Sequence, residues 1–176
     1  MLEISVIILA YNEEIHLERC LNNARKFAKE IFVIDSFSTD KTVEIAEKMG
    51  AKVYKHAWEN YSKQFNWGLQ NLPITTEWVW RMDADEYLSD ELIAELHKKL
   101  PCLEDDVNGF TAPCRRIFMG KYIKHGILPL ILLLSTNSSR MFTRVYYRFF
   151  IQVILRQQQI NSLTSSITIV LICPPS

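Results

Sequence analysis

Apolar runs that each end in a polar or acidic cluster dominate the first half of this chain. The clusters are Ala10-Tyr11-Asn12-Glu13 after residues 4–9, Asp35 after residues 31–34, and Asp83-Ala84-Asp85 after residues 78–82. Continuous β-branched and aliphatic runs of this length predict strands that are covered on both faces. Since open α/β sheets bind ligands beyond the carboxyl ends of their strands, we expect the three clusters to form one site at one edge of the sheet.

Helical patterns separate the strand-like runs. Leu17, Cys20, Leu21 and Ala24 follow the three- and four-residue spacing of a buried helix face, and helical stretches also follow the later strands. The resulting β-α-β-α-β order predicts an α/β fold with a doubly wound, mostly parallel sheet flanked by helices. A further strand is expected around residues 109–117.

Polar residues and one glycine mark the ends of the predicted helices. We expect Asn12 to cap the first helix, Ser38 or Thr39 to cap the second, Gly50 to end the second, Asn60 to begin the third and Ser89 to begin the fourth.

Asp83 and Asp85 are candidate ligands for a divalent cation. Hard cations such as Mg²⁺ and Mn²⁺ take oxygen ligands and are commonly held by one or two carboxylates together with substrate phosphates. The simpler alternative is an acidic loop that precedes a helix, but the apolar strand before the pair and the two other clusters favour the metal site. We expect Asp85 to face solvent. Asp35 is expected to accept hydrogen bonds from a ribose or a base, with a solvated turn residue as the alternative.

Two other enzyme classes are disfavoured. A nicotinamide-dinucleotide dehydrogenase needs a glycine-rich turn after the first strand, and all five glycines lie elsewhere in this chain. A phosphatase with an Asp-x-Asp motif needs its nucleophile after the first strand and a Thr or Val four residues later. Here the pair follows the fourth strand, and Tyr87 occupies that later position.

Four motifs together carry a family resemblance. They are Ser5-Val-Ile-Ile-Leu-Ala-Tyr-Asn-Glu-Glu14, Ile34-Asp35-Ser-Phe-Ser-Thr-Asp40, Asn66-x-Gly68 and Met82-Asp83-Ala-Asp85-Glu86. In this order, over roughly residues 3–126, they resemble the inverting family 2 glycosyltransferases, which have the GT-A fold. The nearest likeness is to bacterial lipopolysaccharide core glucosyltransferases that act on heptose.

The resemblance implies a role for several residues. Ala10, Tyr11 and Glu13 would contact the nucleotide, Asp35 would bind its uridine, Asp83 would lie by the ribose and the metal, and Asp85 would ligate Mn²⁺ or Mg²⁺. Lys63 lies near the position of a family basic residue and is either a phosphate contact or a solvated helix lysine. The implied donor is a nucleotide sugar such as UDP-glucose. The implied acceptor is a glycan, a lipid-linked saccharide or a lipopolysaccharide core.

Inverting transfer also needs a carboxylate that removes the proton of the acceptor hydroxyl. In this family that acid follows the Asp-x-Asp motif, but all 20 acidic residues of the chain lie at or before Asp106. The catalytic residue is therefore unknown. The alternative hypothesis is a truncated, inactive fragment that binds a nucleotide sugar.

The C-terminal part differs from the rest. Residues 107–176 carry eight basic and no acidic side chains, and periodicity is weak from about Ile127 onward. We therefore predict a nucleotide-sugar-binding domain over residues 1–126 and an atypical basic and apolar tail over 127–176. The tail is interpreted as aberrant or frameshifted and is expected to pack poorly against the sheet. A basic segment at a membrane surface is the alternative.

Cysteine usage and the apolar runs bear on cellular location. The four cysteines lack metal-type spacing, which indicates reduced thiols and a cytoplasmic compartment. The N-terminus lacks the pattern of a secretory signal, and no apolar run reaches the roughly 18 residues that span a bilayer. We expect a cytoplasmic protein, with peripheral contact at the inner face of the cell membrane as a further option. No nucleic-acid partner is expected.

Overall fold

The computed structural model describes residues 1–102, 109–118, 121–122, 130–135 and 169–173. The described strands are β1 (Leu2–Ala10), β2 (Ala28–Asp35), β3 (Lys52–Lys55), β4 (Trp78–Asp83), β5 (Glu86–Leu88), β6 (Gly109–Phe118), β7 (Lys121–Tyr122), β8 (Leu130–Ser135) and β9 (Ile169–Cys173). The described helices are α1 (Leu17–Ala24), α2 (Thr42–Lys48), α3 (Tyr61–Asn71) and α4 (Asp90–Lys99), followed by a short 3₁₀ turn at Leu100–Cys102.

The strands form one sheet in the order β3-β2-β1-β4-β8-β6-β9-β5, with β7 paired to β6. Strands β3, β2, β1 and β4 are mutually parallel, and β8 joins them antiparallel beside β4. The chain runs from β1 to β2 and then β3 on one side of β1, and β4 then pairs with β1 on its other side. This reversal is a topological switch point, where open sheets bind ligands. The predicted α/β fold with a mostly parallel sheet is confirmed.

Strand β1 is the centre of the core. Val6 and Ile8 belong to a core cluster that includes Leu17 of α1, whereas Ile7 belongs to a second cluster with Phe65 of α3. Val6, Ile7 and Ile8 are wholly buried although they point to both faces of the sheet, which explains why the run is continuously apolar rather than alternating. Burying one such side chain contributes about 1.5–3 kcal/mol.

Helix α3 approaches the sheet closely at Gly68. A Cβ atom at this position would lie 2.6 Å from Ile34 Cδ1 and 3.5 Å from Ile7 Cδ1. Since carbon atoms in contact are normally about 3.5–4.0 Å apart, the helix can pack at this distance only because residue 68 has no side chain. The glycine of the Asn66-x-Gly68 motif therefore has a packing role.

The beginnings of α3 and α4 and the end of α2 follow the predictions. Asn60 Oδ1 accepts a hydrogen bond from Lys63 N at 2.9 Å, and Ser89 Oγ accepts one from Leu92 N at 3.2 Å. Gly50 has φ +70° just beyond α2, which is the left-handed conformation that glycine adopts most readily after a helix. These ends were predictable because each depends on residues close together in sequence.

The predicted caps of α1 and α2 are wrong. Helix α1 begins at Leu17, five residues after Asn12, and α2 begins at Thr42 with neither Ser38 nor Thr39 as its cap. Asn12 instead accepts a hydrogen bond from Thr39 N, and Asp40 Oδ1 accepts one from Thr42 N. The polar residues that resembled caps are bonded between the two loops.

Two described strands lie in the predicted tail. Strand β8 pairs with β4 and β6, and β9 pairs with β5 and β6. The expectation of poor packing is therefore wrong for residues 130–135 and 169–173, whose short apolar runs suit strands. The other residues of 127–176, and thus most of that prediction, lie outside the described residues. Among the helices that are described, none is long and apolar enough to cross a membrane.

Candidate functional site

Strand register brings the predicted clusters to one place at the carboxyl edge of the sheet. Ala10, the last residue of β1, pairs with Asp35 of β2, and its neighbour Leu9 pairs with Asp83 of β4. The two aspartates therefore flank the end of β1 on opposite sides. The predicted convergence of the three clusters is confirmed.

Glu13 and Asp85 share a negative environment. Burial raises the pKa of Glu13, and the carboxylates of Asp85, Asp40 and Asp83 raise it further. Burial likewise raises the pKa of Asp85, with Asp83 as the next cause. Asp85, which we expected to face solvent, is half-buried, and its backbone carbonyl oxygen accepts a hydrogen bond from Arg19 at 3.2 Å. Besides burial, each of these carboxylates raises the pKa of its neighbours, an effect that a nearby cation would offset.

Arg81 supplies a positive charge beside this set. Its Nη2 donates to Asp83 Oδ1 at 2.9 Å and to Asp83 Oδ2 at 2.8 Å. The guanidinium also lies over the ring of Tyr61, at 5.6 Å from the ring centroid. Neither Arg81 nor Tyr61 was predicted as part of the site. The available signal was a single charged residue inside the apolar strand β4.

Glu86 lies directly behind Asp83. It is 5% exposed, and its Oε2 accepts a hydrogen bond from Asp83 N at 3.1 Å. Burial and the charge of Asp83 raise the pKa of Glu86 to about 8. Glu86 was part of the recognised motif but had no predicted role. Its contact indicates that it orients the backbone at the end of β4.

Asp35 is fully buried, so the alternative of a solvated turn residue is wrong. Both of its carboxylate oxygens accept from Ser38 N, at 3.2 and 3.1 Å, and its carbonyl oxygen accepts from His56 N at 3.0 Å. The side chain is held in one orientation by its own loop.

Gln64 was also missed from the sequence. It is a fully buried polar residue of α3, and its Nε2 donates to Ser36 Oγ at 3.0 Å and to the His56 carbonyl oxygen at 3.1 Å. Its Oε1 is 2.7 Å from Nδ1 of His56, whose ring stacks on Trp67 at 4.4 Å. Gln64 thereby connects α3 to the loops that follow β2 and β3. Its partners are distant in sequence, so no local pattern indicated them.

The remaining predicted site residues differ in their surroundings. Ala10 is buried, and its carbonyl oxygen accepts from Ser36 N at 2.9 Å, whereas Tyr11 is 58% exposed at the same edge. Lys63 is exposed on α3 and forms an ion pair with Glu59, four residues earlier. Contact between Lys63 and a phosphate remains a prediction.

Asp83 and Asp85 fit the oxygen donor set of a hard divalent cation. Burial, and after it the charge of Asp83, raises the pKa of Asp85, and a bound cation would offset both effects. Within the described ranges there is no group of three or more potential ligands among His, Cys, Asp and Glu side chains. The remaining coordination positions would have to be filled by other oxygen atoms, such as those of water or a bound diphosphate, as is usual for Mg²⁺.

Similar sequences are glycosyltransferases. The model of the glycosyl transferase family 2 matches residues 5–164, which includes part of the predicted tail. An uncharacterised glycosyltransferase of Rickettsia conorii is 33% identical over 154 residues, which cover 84% of this chain and 49% of that protein. The lipopolysaccharide core biosynthesis glycosyltransferase LpsC of Rhizobium meliloti is 28% identical over 68% of this chain and 44% of its own length. The chain thus spans about half the length of these relatives.

Two solved structures share the fold. Mannosyl-3-phosphoglycerate synthase from Rubrobacter xylanophilus has a TM-score of 0.53 and 21% identity, covering 65% of this chain and 41% of that one. The mannosyltransferase PcManGT from Pyrobaculum calidifontis, solved with GDP-Man and Mn²⁺, has a TM-score of 0.51 and 22% identity, covering 62% of this chain and 35% of that one. At this identity the likeness establishes the GT-A fold alone. Together with the match over residues 5–164, the fold and the motifs lead to one conclusion: this chain belongs to glycosyl transferase family 2.

Proposed function

We propose that this chain binds a nucleotide-sugar donor at the carboxyl edge of the sheet and transfers its sugar with inversion. The donor is a UDP-sugar such as UDP-glucose, and the acceptor is a glycan or lipid-linked saccharide of the lipopolysaccharide core kind. The register that places Asp35 and Asp83 on either side of the end of β1 is the observation that carries this proposal. Their separation across three adjacent strands suits a ligand with a base at one end and a diphosphate at the other.

The two aspartates differ in what they can do. Asp35 is buried and keeps lone pairs beyond those used by Ser38 N, so it can accept a hydrogen bond from uracil or ribose. Asp83, held by Arg81, and half-buried Asp85 would hold Mn²⁺ or Mg²⁺. When bound, such a cation supplies positive charge that stabilises the departing diphosphate.

Arg81 and Glu86 arrange this end of the site. Arg81 donates hydrogen bonds to both oxygens of Asp83 and so limits the orientations of that carboxylate. Glu86 holds the backbone N–H of Asp83 from the buried side. The pair therefore orients Asp83 before the donor arrives, and a pre-oriented ligand loses less conformational entropy on binding.

A second candidate function is binding of a nucleotide sugar without transfer. The observation that favours it is that residues 107–176, which follow the Asp-x-Asp motif, carry no acidic side chain. Without a base the acceptor hydroxyl stays protonated, and a contribution of typically 10²–10⁴-fold to the rate is lost.

We also propose a cytoplasmic location with peripheral contact at the inner face of the cell membrane. The eight basic side chains after Asp106 support this, because anionic lipid attracts clustered Lys and Arg. Sedimentation with vesicles of anionic and of neutral lipid tests the contact, and equal sedimentation with both kinds would contradict it.

A thermal-shift experiment on the full chain tests the binding function. UDP and UDP-glucose are added with and without Mn²⁺, and GDP-mannose serves as the comparison donor. A ligand at about 100 times its dissociation constant stabilises the native state by about 2.7 kcal/mol. We expect this stabilisation only when Mn²⁺ is present, and equal shifts in its absence would remove the metal from the proposal. A turnover assay with an added saccharide acceptor then separates transfer from binding alone.

A further inference from the structure

The loop that follows β1 is hydrogen-bonded directly to the loop that follows β2. Asn12 N donates to Ser38 Oγ at 2.9 Å, and Asn12 Oδ1 accepts from Thr39 N at 2.8 Å. The next residue, Glu13, donates its backbone N–H to Thr42 Oγ1 at 2.8 Å. These bonds join residues that are more than 25 positions apart, so they fix the two loops relative to each other.

Backbone conformation gives Asn12 a special place in this arrangement. Its φ is +53°, in the left-handed region that non-glycine residues adopt uncommonly, and Phe37 in the opposite loop has φ +61°. Asparagine tolerates this region better than most residues do. The conformation allows both the N–H and the side-chain oxygen of Asn12 to be used across the gap between the loops. Conformations of this kind persist where the surroundings enforce them, often at functional sites.

Ser38 connects Asn12 to Asp35. Its backbone N–H donates to both carboxylate oxygens of Asp35, while its Oγ accepts from Asn12 N. The position of Asp35 is therefore coupled to Asn12 through one intermediate residue. On the other side, Glu13 follows Asn12 in the chain, and burial and then the charge of Asp85 raise the pKa of Glu13. One residue thus adjoins both of the proposed contacts to the donor.

We propose that Asn12 is a positioning residue for donor binding, which keeps Asp35 and Glu13 at the spacing that one nucleotide sugar requires. Asn12 acts through Ser38 and Thr39 and does not itself need to contact the donor. The inference rests on the proposed function, because Asp35 and Glu13 are donor contacts only if that function is correct. It adds that selectivity for the base depends on the bonds between the loops as well as on Asp35.

Two substitutions separate the side-chain bond from the backbone conformation. Asn12→Gly keeps φ +53° accessible but removes the oxygen that binds Thr39, whereas Asn12→Asp retains an acceptor oxygen. The measurements are dissociation constants of UDP and of CDP with Mn²⁺, by calorimetry on the full chain. Uracil offers an N3–H donor beside a C4 carbonyl, whereas cytosine has an unprotonated N3 beside a C4 amino group. The ratio of the two dissociation constants therefore reports how an acceptor such as Asp35 is placed against that edge of the base. We expect Asn12→Gly to weaken UDP binding about 3- to 10-fold, the value of one lost hydrogen bond, and to reduce the preference for UDP over CDP.

Asn12→Asp should recover most of the affinity and the preference. Ser89→Ala is the matched control for a general loss of stability, because it removes the side-chain oxygen that caps α4 by accepting from Leu92 N. It should lower the melting temperature and leave the UDP/CDP ratio unchanged. If Asn12→Gly does not fold, Ser38→Ala tests the other bond between the loops, because it removes the acceptor of Asn12 N, and it should lower the UDP/CDP preference in the same way.

The outcomes distinguish this inference from the function on which it rests. If the wild-type chain binds neither nucleotide with Mn²⁺, the proposed function fails and the inference fails with it. If wild type binds UDP but Asn12→Gly changes neither the dissociation constant nor the UDP/CDP ratio, only the positioning role of Asn12 is overturned. A lower melting temperature with an unchanged ratio would also overturn it, since Asn12 would then be merely structural.

Discussion

Arg81 donates to both carboxylate oxygens of Asp83, its neighbour but one in β4. Asp83 therefore has a positive partner, whereas the pKa of Asp85 is raised by burial and by the charge of Asp83. Of the two candidate metal ligands, Asp85 is the one whose negative charge is less offset by a neighbouring positive charge. It has the most to gain from a bound cation, and its removal relieves repulsion in the free protein.

Replacing Asp85 by Ala should abolish the metal-dependent part of UDP binding without loss of the fold. In the absence of metal the variant should be as stable as wild type or slightly more stable, because a half-buried carboxylate is removed from beside Asp83. The measurement is the UDP-induced thermal shift with and without Mn²⁺. Asp90→Ala, which removes an exposed carboxylate paired with Lys26, is the control and should behave as wild type. A metal-dependent shift that survives in Asp85→Ala would rule out this ligand.

Stability should fall as pH rises through neutrality because of Glu86. Its pKa is about 8 in the folded chain against an ordinary value of 4.5, so the folded state binds more protons between these values. The free energy of unfolding should therefore decrease from about pH 5 to about pH 8 and change little above that range through this group. Glu13 and Asp85, whose pKa values are also raised, act in the same direction.

Glu86→Gln tests this pH dependence directly. Glutamine keeps an oxygen that can accept from Asp83 N but cannot ionise, so urea unfolding of the variant should show a flatter pH profile. Glu91→Gln changes a fully exposed carboxylate and should reproduce the wild-type slope. If the Glu86 variant retained the full slope, the proton uptake would belong to other groups.

Gly68→Ala should destabilise the fold despite the better helix propensity of alanine. The added Cβ would lie 2.6 Å from Ile34 Cδ1, and overpacking of this kind costs about 1–3 kcal/mol. Chemical denaturation gives the free energy of unfolding. Adding Ile34→Val removes the opposing Cδ1 and should restore part of the loss. Gln70→Ala, at an exposed position of the same helix, is the control, and an equal effect there would contradict the packing explanation.

The coding DNA should show whether the sequence after residue 126 is read in the correct frame. The absence of carboxylates after Asp106 predicts that a one-base shift near codon 126 restores a reading with acidic and aromatic residues, whereas the family match up to residue 164 favours a sound frame there. Sequencing of the coding DNA checks the frame. A purified chain with the present tail should transfer little or no sugar, because residues 107–176 offer no carboxylate that could act as the base. A sound frame together with an ordinary transfer rate would show that another group serves as the base.

The parts that were predictable depend on local sequence. Asp35 and Asp83 were placed at the site because each follows an apolar run that could only be a buried strand, and Asn60 and Ser89 begin helices through bonds to the third residue after them. Asn12 was misassigned because its partners lie 26 and 27 residues away.

Two further features depended on the packed sheet. Gln64 was missed because its bond to Ser36 exists only after α3 has packed against the sheet. The pKa of Glu86 likewise follows from burial, which a linear pattern does not report. Local signals thus located the site, whereas the interactions that orient it required the tertiary structure.

The placement of β1 between two partners sets a limit on how this chain can change length. Ala10 faces Asp35 in one neighbour while Leu9 faces Asp83 in the other. Inserting or deleting a single residue within β1 would reverse the direction of every following side chain and misalign both aspartates at once. Ile15, the exposed residue between Glu14 and α1, is not part of a strand and carries no such double constraint. Insertions and deletions among homologous chains should therefore occur there more often than within β1.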